Sequence, residues 1–212
     1  MRSIFKKHRF LWAQKSFVLS ILVGVCFLAI GLTTTYYANF YTISHASNAV
    51  TDILLDNLPV VNVNFLYSEG AVIFLIIVGI ILLYEPRRIP FVLKSAALFI
   101  LIRAVFTTLT HLAPPLHESY VDTEDLIFKL GSGSDLFFSG HAGLPFLFAL
   151  IFWNEKLLKY FFLLAAATGG VVVILGHLHY SIDVFSALFI AFGIFHISKK
   201  LFSKDYRMIL SA

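Results

Sequence analysis

Residues 157–198 read LLKYFFLLAAATGGVVVILGHLHYSIDVFSALFIAFGIFHIS, and this stretch decides the fold class. It holds two apolar runs, 157–177 and 180–198, separated by a tight corner at His179. A helix needs about 20 mostly apolar residues to cross the roughly 30 Å hydrocarbon core of a bilayer. The stretch therefore predicts two membrane-spanning helices that follow each other directly.

The composition of the whole chain indicates the same class. Of its 212 residues, 59% are hydrophobic and only 13% are charged, and the mean hydropathy is +0.87. Soluble domains average about 45–50% apolar and about 25% charged residues. This composition excludes an ordinary soluble enzyme, a disordered protein and a nucleic-acid binder. We expect an all-α, polytopic membrane protein with six transmembrane helices and no nucleic-acid partner.

Six segments are candidates for spans. The second, which is expected to start at Glu69 and Gly70, is short and must include flanking residues to cross the bilayer. The first follows a basic stretch that resembles the n-region of a secretory signal. Its apolar run is long for such a signal and lacks a small-residue cleavage site, so we expect an uncleaved helix. The predicted spans are 16–36, 69–84, 90–111, 136–153, 157–177 and 180–198.

The basic residues predict the orientation of these spans. Fourteen of the 16 Lys and Arg residues fall on one side of the predicted membrane, and only Lys129 falls on the other. By the positive-inside rule the first side is cytoplasmic, which places both termini inside. We therefore divide the chain into a basic cytoplasmic segment 1–15, a six-helix membrane domain 16–198 and a basic cytoplasmic tail 199–212. The remaining basic residue, Arg103, lies within the third span.

The first outer loop, 37–68, contains no basic residue. Five of its residues recur at helical spacing, which predicts a short amphipathic helix in the membrane interface. They are Ser47, Val50, Ile53, Leu54 and Leu58.

Arg103 begins a polar stripe on the third span. A charge at bilayer depth costs at least about 3 kcal/mol, so such a residue usually faces a cavity or a partner. Thr107, Thr110 and His111 follow at helical spacing and predict a polar cleft open to the outer side, with Arg103 roughly 12 Å deep. The alternative is a structural arginine paired with a carboxylate of a neighbouring helix.

The fourth span opens with DLFFSGHAGLPF at 135–146. Ser139, Gly140 and His141 fall in the first turns of the expected helix, where free backbone N–H groups and the helix dipole favour an anion. The preceding GSGS could bring more backbone close to a phosphate, and we consider Asp135 a possible supporting residue. A lone histidine here could equally be a helix cap.

The sixth span opens with GHLHYSIDVFSALF at 176–189. His179 and Asp183 are four residues apart and share a helix face, with Ser186 about one turn further on. A carboxylate there can accept the Nδ1 proton of the imidazole and leave Nε2 as a nucleophile or base. The alternative is a buried Asp183 that pairs with Arg103 only to hold helices together.

Six of the eight histidines fall on the predicted outer side, beside the intramembrane charges. Together these residues could supply a cation for a phosphate, an activated nucleophile and a second histidine as acid. A metal site is the competing use, but His177 and His179 do not share a helix face and no cluster of carboxylates accompanies them. We expect no metal and no cofactor, and consider His111 and His177 possible supporting residues. The outer histidines are His45, His111, His117, His141, His177 and His179.

GSDLFFSGH at 133–141 together with GHLHYSIDVF at 176–185 resembles the paired signature of sphingomyelin synthases and their relatives, a branch of the type 2 phosphatidic acid phosphatase superfamily. The resemblance extends to the Arg103 helix with THLAPP at 110–115, and more weakly to TDILLDNLP at 51–59. It covers residues 45–198 or so and includes the six-span layout.

The resemblance implies a mechanism through a phosphohistidine. His179 would attack the phosphorus of a lipid head group while Asp183 orients its ring, and His141 would protonate the departing alkoxide. Arg103, Ser139 and the Gly140 backbone N–H would hold the phosphate oxygens. An acceptor hydroxyl or water would then resolve the intermediate.

Three departures separate the chain from the phosphatase branch. That branch has proline before SGH, where this chain has Phe138, and a Ser-Arg pair where this chain has Val172 and Val173. It also has a lysine and an arginine-proline motif, whereas Ala104 follows Arg103 here. All three favour the synthase-like branch.

Three functions follow as hypotheses. The first is a lipid phosphotransferase that moves a phospho-head group from a membrane phospholipid to a lipid alcohol, ceramide or diacylglycerol, on the non-cytoplasmic side. The second is a lipid phosphate phosphatase or phospholipase C-like hydrolase that uses the same histidines, with water as the acceptor. The third is a non-catalytic transporter or metal-binding membrane protein.

Overall fold

The computed structural model describes residues 2–116, 119 and 136–210, and within them the chain forms helices and no β-strand. A 3-10 turn at Pro86–Arg88 directly precedes the fourth helix. The α-helices are α1 (Arg2–Trp12), α2 (Lys15–His45), α3 (Asn64–Tyr84), α4 (Ile89–Thr110), α5 (Gly140–Ile151), α6 (Lys156–Leu175), α7 (Ser181–Leu201) and α8 (Ser203–Leu210).

Among the described residues, five helical segments are long and apolar enough to cross a membrane: α2, α3, α4 with its preceding turn, α6 and α7. The all-α fold and the integral membrane class are therefore as expected. The predicted span 136–153 is different, because α5 has only 12 residues, Gly140–Ile151. Before it, Phe138 O accepts a hydrogen bond from Arg103 and Ser139 N donates to Asp183 O, so neighbouring helices satisfy this backbone instead of a longer α5.

The first two long helices have boundaries different from those predicted. α2 continues to His45, well past the expected end at 36. α3 begins at Asn64, so the predicted start at Glu69 and Gly70 is wrong, and the short second span takes its missing residues from the N-terminal side. The full span of 21 residues is about 31 Å long, which is enough to cross a bilayer.

The amphipathic helix predicted in the first outer loop is wrong. Residues 46–63 are not helical and contain only a hydrogen-bonded turn around 53–57. The Asp52 carboxylate accepts the backbone N–H groups of Leu54 and Leu55 and so stabilises a local turn instead of a helix. Of the five residues at helical spacing, all but Leu54 are exposed.

The short helix α5 lies at the centre of the bundle, packed against α4, α6 and α7. Its residues from Leu147 to Ile151 are all buried. A cluster of aromatic rings surrounds it, in which Phe74 of α3 and Phe162 of α6 both contact Phe148. This packing fixes the position of the α5 N-terminus, which carries the SGH sequence.

One end of the bundle contains ion pairs formed by basic residues. Lys94 lies inside α4, near its N-terminal end, and donates to both Asp205 of α8 (2.6 Å) and Ser20 of α2 (2.7 Å). At the same end Arg88 pairs with Glu155, and its Nη1 donates to Ile151 O at the end of α5. These contacts tie the helix ends together opposite the SGH and His179 segments.

Candidate active site

The corner between α6 and α7 carries the predicted nucleophile. α6 ends at Leu175, His177 has a positive φ of 52°, and α7 begins at Ser181. His179 Nδ1 lies 3.1 Å from Asp183 Oδ2, the contact expected from their spacing. The same carboxylate oxygen accepts the backbone N–H of Tyr180 at 3.1 Å. Asp183 therefore caps α7 and orients the imidazole at once, which leaves Nε2 of His179 for chemistry when Nδ1 carries the proton.

The start of α5 lies beside this pair. Ser139 N donates to the backbone oxygen of Asp183 at 3.0 Å, which fixes the SGH segment against the first turn of α7. The Ser139 side chain is fully buried, and its Oγ has no hydrogen-bond partner among the described residues. A buried hydroxyl without a partner is unfavourable, so this atom is available to a bound ligand.

Glycine on α6 allows the close approach of α5. A Cβ added at Gly169 would lie 2.2 Å from the carbonyl oxygen of His141, far closer than any side chain tolerates. This contact places His141 beside Gly169, within the length of α6. The site is therefore recessed from the end of the bundle at which α6 ends. α6 continues six residues beyond Gly169, about 9 Å, before it ends at Leu175.

The imidazole of His141 packs against α3. Its ring stacks on the ring of Tyr67 with centroids 4.2 Å apart, and its Nε2 lies 3.2 Å from the Tyr67 carbonyl oxygen. Ser139 N bonds the backbone oxygen of Asp183 and the Arg103 guanidinium borders Gly140, so the His179–Asp183 pair and Arg103 both lie beside the segment that carries His141. The structure thus brings both predicted catalytic histidines together, and adds a wall from α3 that sequence reasoning missed.

Arg103 reaches the same place from α4. Its side chain is buried, and its Nε donates to Phe138 O at 2.9 Å. The guanidinium borders Gly140, where an added Cβ would lie 3.8 Å from Nε. A guanidinium and the N-terminus of α5 therefore meet at one point, and both favour an anion such as phosphate.

The supporting residues have different positions. α4 ends at Thr110, so His111 leaves the stripe of Arg103 and takes a left-handed conformation with its ring near Tyr41 and His45. The predicted continuation of the stripe to His111 is wrong, because a helix face ends with its helix. His177 is buried at the corner, with Nε2 unpartnered among the described residues. Asp135, the GSGS sequence and His117 lie outside the described residues.

Asp52 is a second residue that sequence reasoning missed. Its Oδ2 accepts the backbone N–H of Ser181, the first residue of α7, at 2.7 Å. Burial alone would raise the pKa of Asp52, but hydrogen bonds from Ser181, Leu54 and Leu55 outweigh it and hold the pKa below its ordinary value of 3.8. The only sequence signal was the weak resemblance of TDILLDNLP, which gives no contact partner.

Within residues 2–116, 119 and 136–210, no three His, Cys, Asp or Glu side chains are grouped so that they could hold a metal ion. The polar groups that converge are instead an imidazole with its carboxylate, a second imidazole, a guanidinium and a free hydroxyl. This set matches nucleophilic attack on a phosphate ester better than it matches coordination of a cation.

Comparison with known families gives one match. Residues 133–200, about a third of the chain, match the model of the PAP2 superfamily C-terminal domain. The matched range contains Ser139, Gly140, His141, His179 and Asp183, but not Arg103, Tyr67 or Asp52. Searches of curated proteins and of solved structures gave no match. The match supports the PAP2 superfamily, whose members are phosphoesterases or phosphotransferases, and therefore an enzyme that acts on phosphate groups.

Proposed function

We propose that this protein is an integral-membrane lipid phosphotransferase of the sphingomyelin synthase-like type. It moves a phospho-head group from a membrane phospholipid to a lipid alcohol, ceramide or diacylglycerol. The observation that carries the proposal is the buried His179–Asp183 pair, with His141 and Arg103 close by. Nucleophile, orienting carboxylate, acid and cation then surround one phosphate position.

In the first half of the reaction, Nε2 of His179 attacks the phosphorus of the donor. A P–N bond forms, and the bond from phosphorus to the glycerol oxygen breaks. The departing alkoxide takes a proton from protonated His141 and leaves as a lipid alcohol. Asp183 stabilises the positive charge that develops on the His179 ring through its Nδ1 hydrogen bond.

In the second half, a new lipid hydroxyl gives its proton to the now neutral His141 and attacks the phosphorus. The P–N bond breaks and both histidines return to their starting states. Arg103, Ser139 Oγ and the Gly140 N–H hold the phosphate oxygens in both halves. Charge that builds on these oxygens in the transition states meets donors already in place, which lowers both barriers.

Burial favours a lipid acceptor over water. His179 is 3% exposed and Asp183 is 1% exposed, so bulk water has little access to the nucleophile. Val172 and Val173, which replace the Ser-Arg pair of the phosphatase branch, are buried in the apolar core and cannot bind phosphate. Exclusion of water protects a phosphohistidine from hydrolysis until a lipid hydroxyl arrives.

The recessed site suits a substrate that arrives from the bilayer. We propose that α5, although short, crosses the membrane together with residues 136–139. This adds a sixth crossing to the five long helices, so that both termini are cytoplasmic. The basic ion pairs lie at the opposite end from the site, and by the positive-inside rule this supports a site on the non-cytoplasmic side. A phospholipid of the outer leaflet would reach it laterally.

The test uses purified protein in nanodiscs that contain a phospholipid labelled in the head group. We expect the label to appear in a new lipid only when ceramide or diacylglycerol is added. His179→Ala should abolish this transfer, while His196→Ala, at the exposed far end of the same helix, should leave it intact. Release of water-soluble phospho-head group without an acceptor product would assign a hydrolase instead, and no conversion at all would contradict both enzymes.

A further inference from the structure

The loop between α2 and α3, residues 46–63, is bound to the corner that carries His179. We call it the strap. It attaches on both sides of that corner, since Val61 N donates to Leu175 O at 2.8 Å and Ser181 N donates to Asp52 at 2.7 Å. Val63 packs so closely on Gly176 that a Cβ there would lie 2.4 Å from the valine. The strap lies outside the range that matches the family domain.

Asp52 makes the most specific of these contacts. Its two carboxylate oxygens have separate partners: Oδ1 accepts Leu54 N (2.9 Å) and Leu55 N (3.3 Å) within the strap, and Oδ2 accepts Ser181 N. Asp52 is therefore bound to the strap by one oxygen and to α7 by the other. It lies 129 residues from its partner in the chain, so no local sequence rule predicts the contact.

The contact acts on the first turn of α7. The first four N–H groups of a helix have no partner within the helix, and Ser181 N is one of them. Asp183 satisfies the preceding N–H, that of Tyr180, while it orients His179. Two carboxylates therefore hold two successive amides directly after the nucleophile. The negative charge of Asp52 also interacts favourably with the positive end of the helix dipole.

Tyr180 adds a further connection between the strap and the corner. Its hydroxyl donates to Ala113 O at 2.9 Å and accepts Val50 N at 3.2 Å, and its ring is buried with Leu55 and Leu136. The backbone on each side of Tyr180 is thus fixed by groups from three separate segments. Rotation of this corner would move the His179 ring away from its present position beside His141.

We propose that Asp52 is a positioning residue for the reaction, acting through the first turn of α7 on the His179–Asp183 pair. This proposal rests on the proposed function, because it concerns the same nucleophile. Asp52 itself contacts no reacting atom. Its effect is to keep Nε2 of His179 in line with the phosphorus, where an error of about 1 Å costs about 100-fold in rate.

The test compares Asp52→Asn with Asp56→Asn in the nanodisc assay. Asparagine keeps the shape of aspartate but has one acceptor oxygen instead of two, so it places an NH₂ donor against the N–H of either Ser181 or Leu54. We expect kcat to fall about 10- to 100-fold with KM changed less than about threefold. Asp56 is in the same strap with an exposed side chain, and its variant should retain wild-type kcat.

A readout that does not need activity separates this proposal from the proposed function. In Asp52→Asn, amide hydrogen exchange at residues 180–183 should become faster, while exchange at the far end of α7 stays unchanged. An unchanged kcat, a change confined to KM, or a loss explained by the folded fraction alone would overturn the positioning role. If the wild type converts no lipid, the proposed function fails, and exchange at 180–183 still decides whether Asp52 holds the corner.

Discussion

The two ends of the bundle each contain a buried carboxylate with a cationic or titratable partner, but the two networks differ in kind. At the basic end, Lys94 donates to Ser20 and Asp205, and Ser20 donates to the other oxygen of Asp205 at 2.7 Å. The three side chains form a closed ring in which each polar group bonds another. At the site end, Asp183 holds His179, but the adjacent Ser139 hydroxyl has no partner among the described residues.

We interpret this difference as that between a structural network and a candidate site. A closed ring of buried charges satisfies itself and ties α2, α4 and α8 together without needing a ligand. An open network contains buried polar atoms without a hydrogen-bond partner. Such atoms are unfavourable in the free protein and become favourable when they bond a phosphate oxygen. The comparison predicts that matched substitutions at the two ends will have opposite consequences, stability at one end and activity at the other.

The largest effect should come from Asp183→Asn. An amide can still cap Tyr180 N, but it cannot stabilise a positively charged His179 ring, so we expect turnover to fall about 10³-fold or more. Thermal denaturation of the purified variant should show a much smaller change than the rate. A variant that unfolds but keeps its specific activity would show that Asp183 is structural and that the comparison is wrong.

The partner experiment at the basic end is Asp205→Asn. Loss of one member of a buried pair leaves Lys94 without its counter-charge, which should cost about 3–5 kcal/mol of stability. The thermal midpoint in detergent should drop clearly, while the folded fraction should keep its turnover. A selective loss of kcat without loss of stability would mean that the closed ring communicates with the site.

Ser139→Ala sharpens the comparison with a smaller effect. Because the Ser139 hydroxyl bonds no described residue, its removal should leave the thermal midpoint unchanged or slightly raised. If this hydroxyl stabilises the phosphate in the transition state, turnover should fall about 10- to 100-fold. Equal turnover in the variant and the wild type would remove Ser139 from the phosphate site.

The smallest effect should appear at low pH, where the carboxylate of Asp52 in the strap becomes protonated. The pKa of Asp52 is lower in the folded protein than its ordinary value of 3.8, so its carboxylate stabilises the fold above that value. This contribution is lost as the pH falls through the lowered folded pKa. The difference in thermal midpoint between wild type and Asp52→Asn should be constant at neutral pH and shrink below about pH 4. A difference that grows on acidification would contradict the assignment.

Sequence reasoning succeeded where the relevant interaction is local. The six apolar runs follow from composition, and five of them are helices long enough to cross a membrane. The contact of His179 with Asp183 was expected from their separation by four residues, although His179 lies just before α7 and not on its face. The failures are one predicted helix that is absent, in residues 46–63, and two element ends: α4 ends before His111, and α5 starts only at Gly140.

These ends are decided by contacts between distant parts of the chain. Phe138 O bonds Arg103 instead of continuing a helix, and Asp52 bonds Ser181 across 129 residues. Tyr67, which stacks on His141, carries no motif and is 74 residues away from it. Hydropathy cannot reveal such pairs, because apolar residues on any of the helices give a similar surrounding and do not specify which helices pack together.

The sequence by itself therefore determined the class of protein and which side chains are candidates for the reaction. Hydropathy settles whether a helix can lie in lipid, and helix periodicity settles which side chains within one turn share a face. The tertiary structure alone decided that His141, Arg103 and His179 meet at one recessed point, and that the strap holds the corner beneath it. The physical reason is that the register between helices depends on close packing, such as that of Gly169 on His141, and on hydrogen bonds between backbones far apart in the chain.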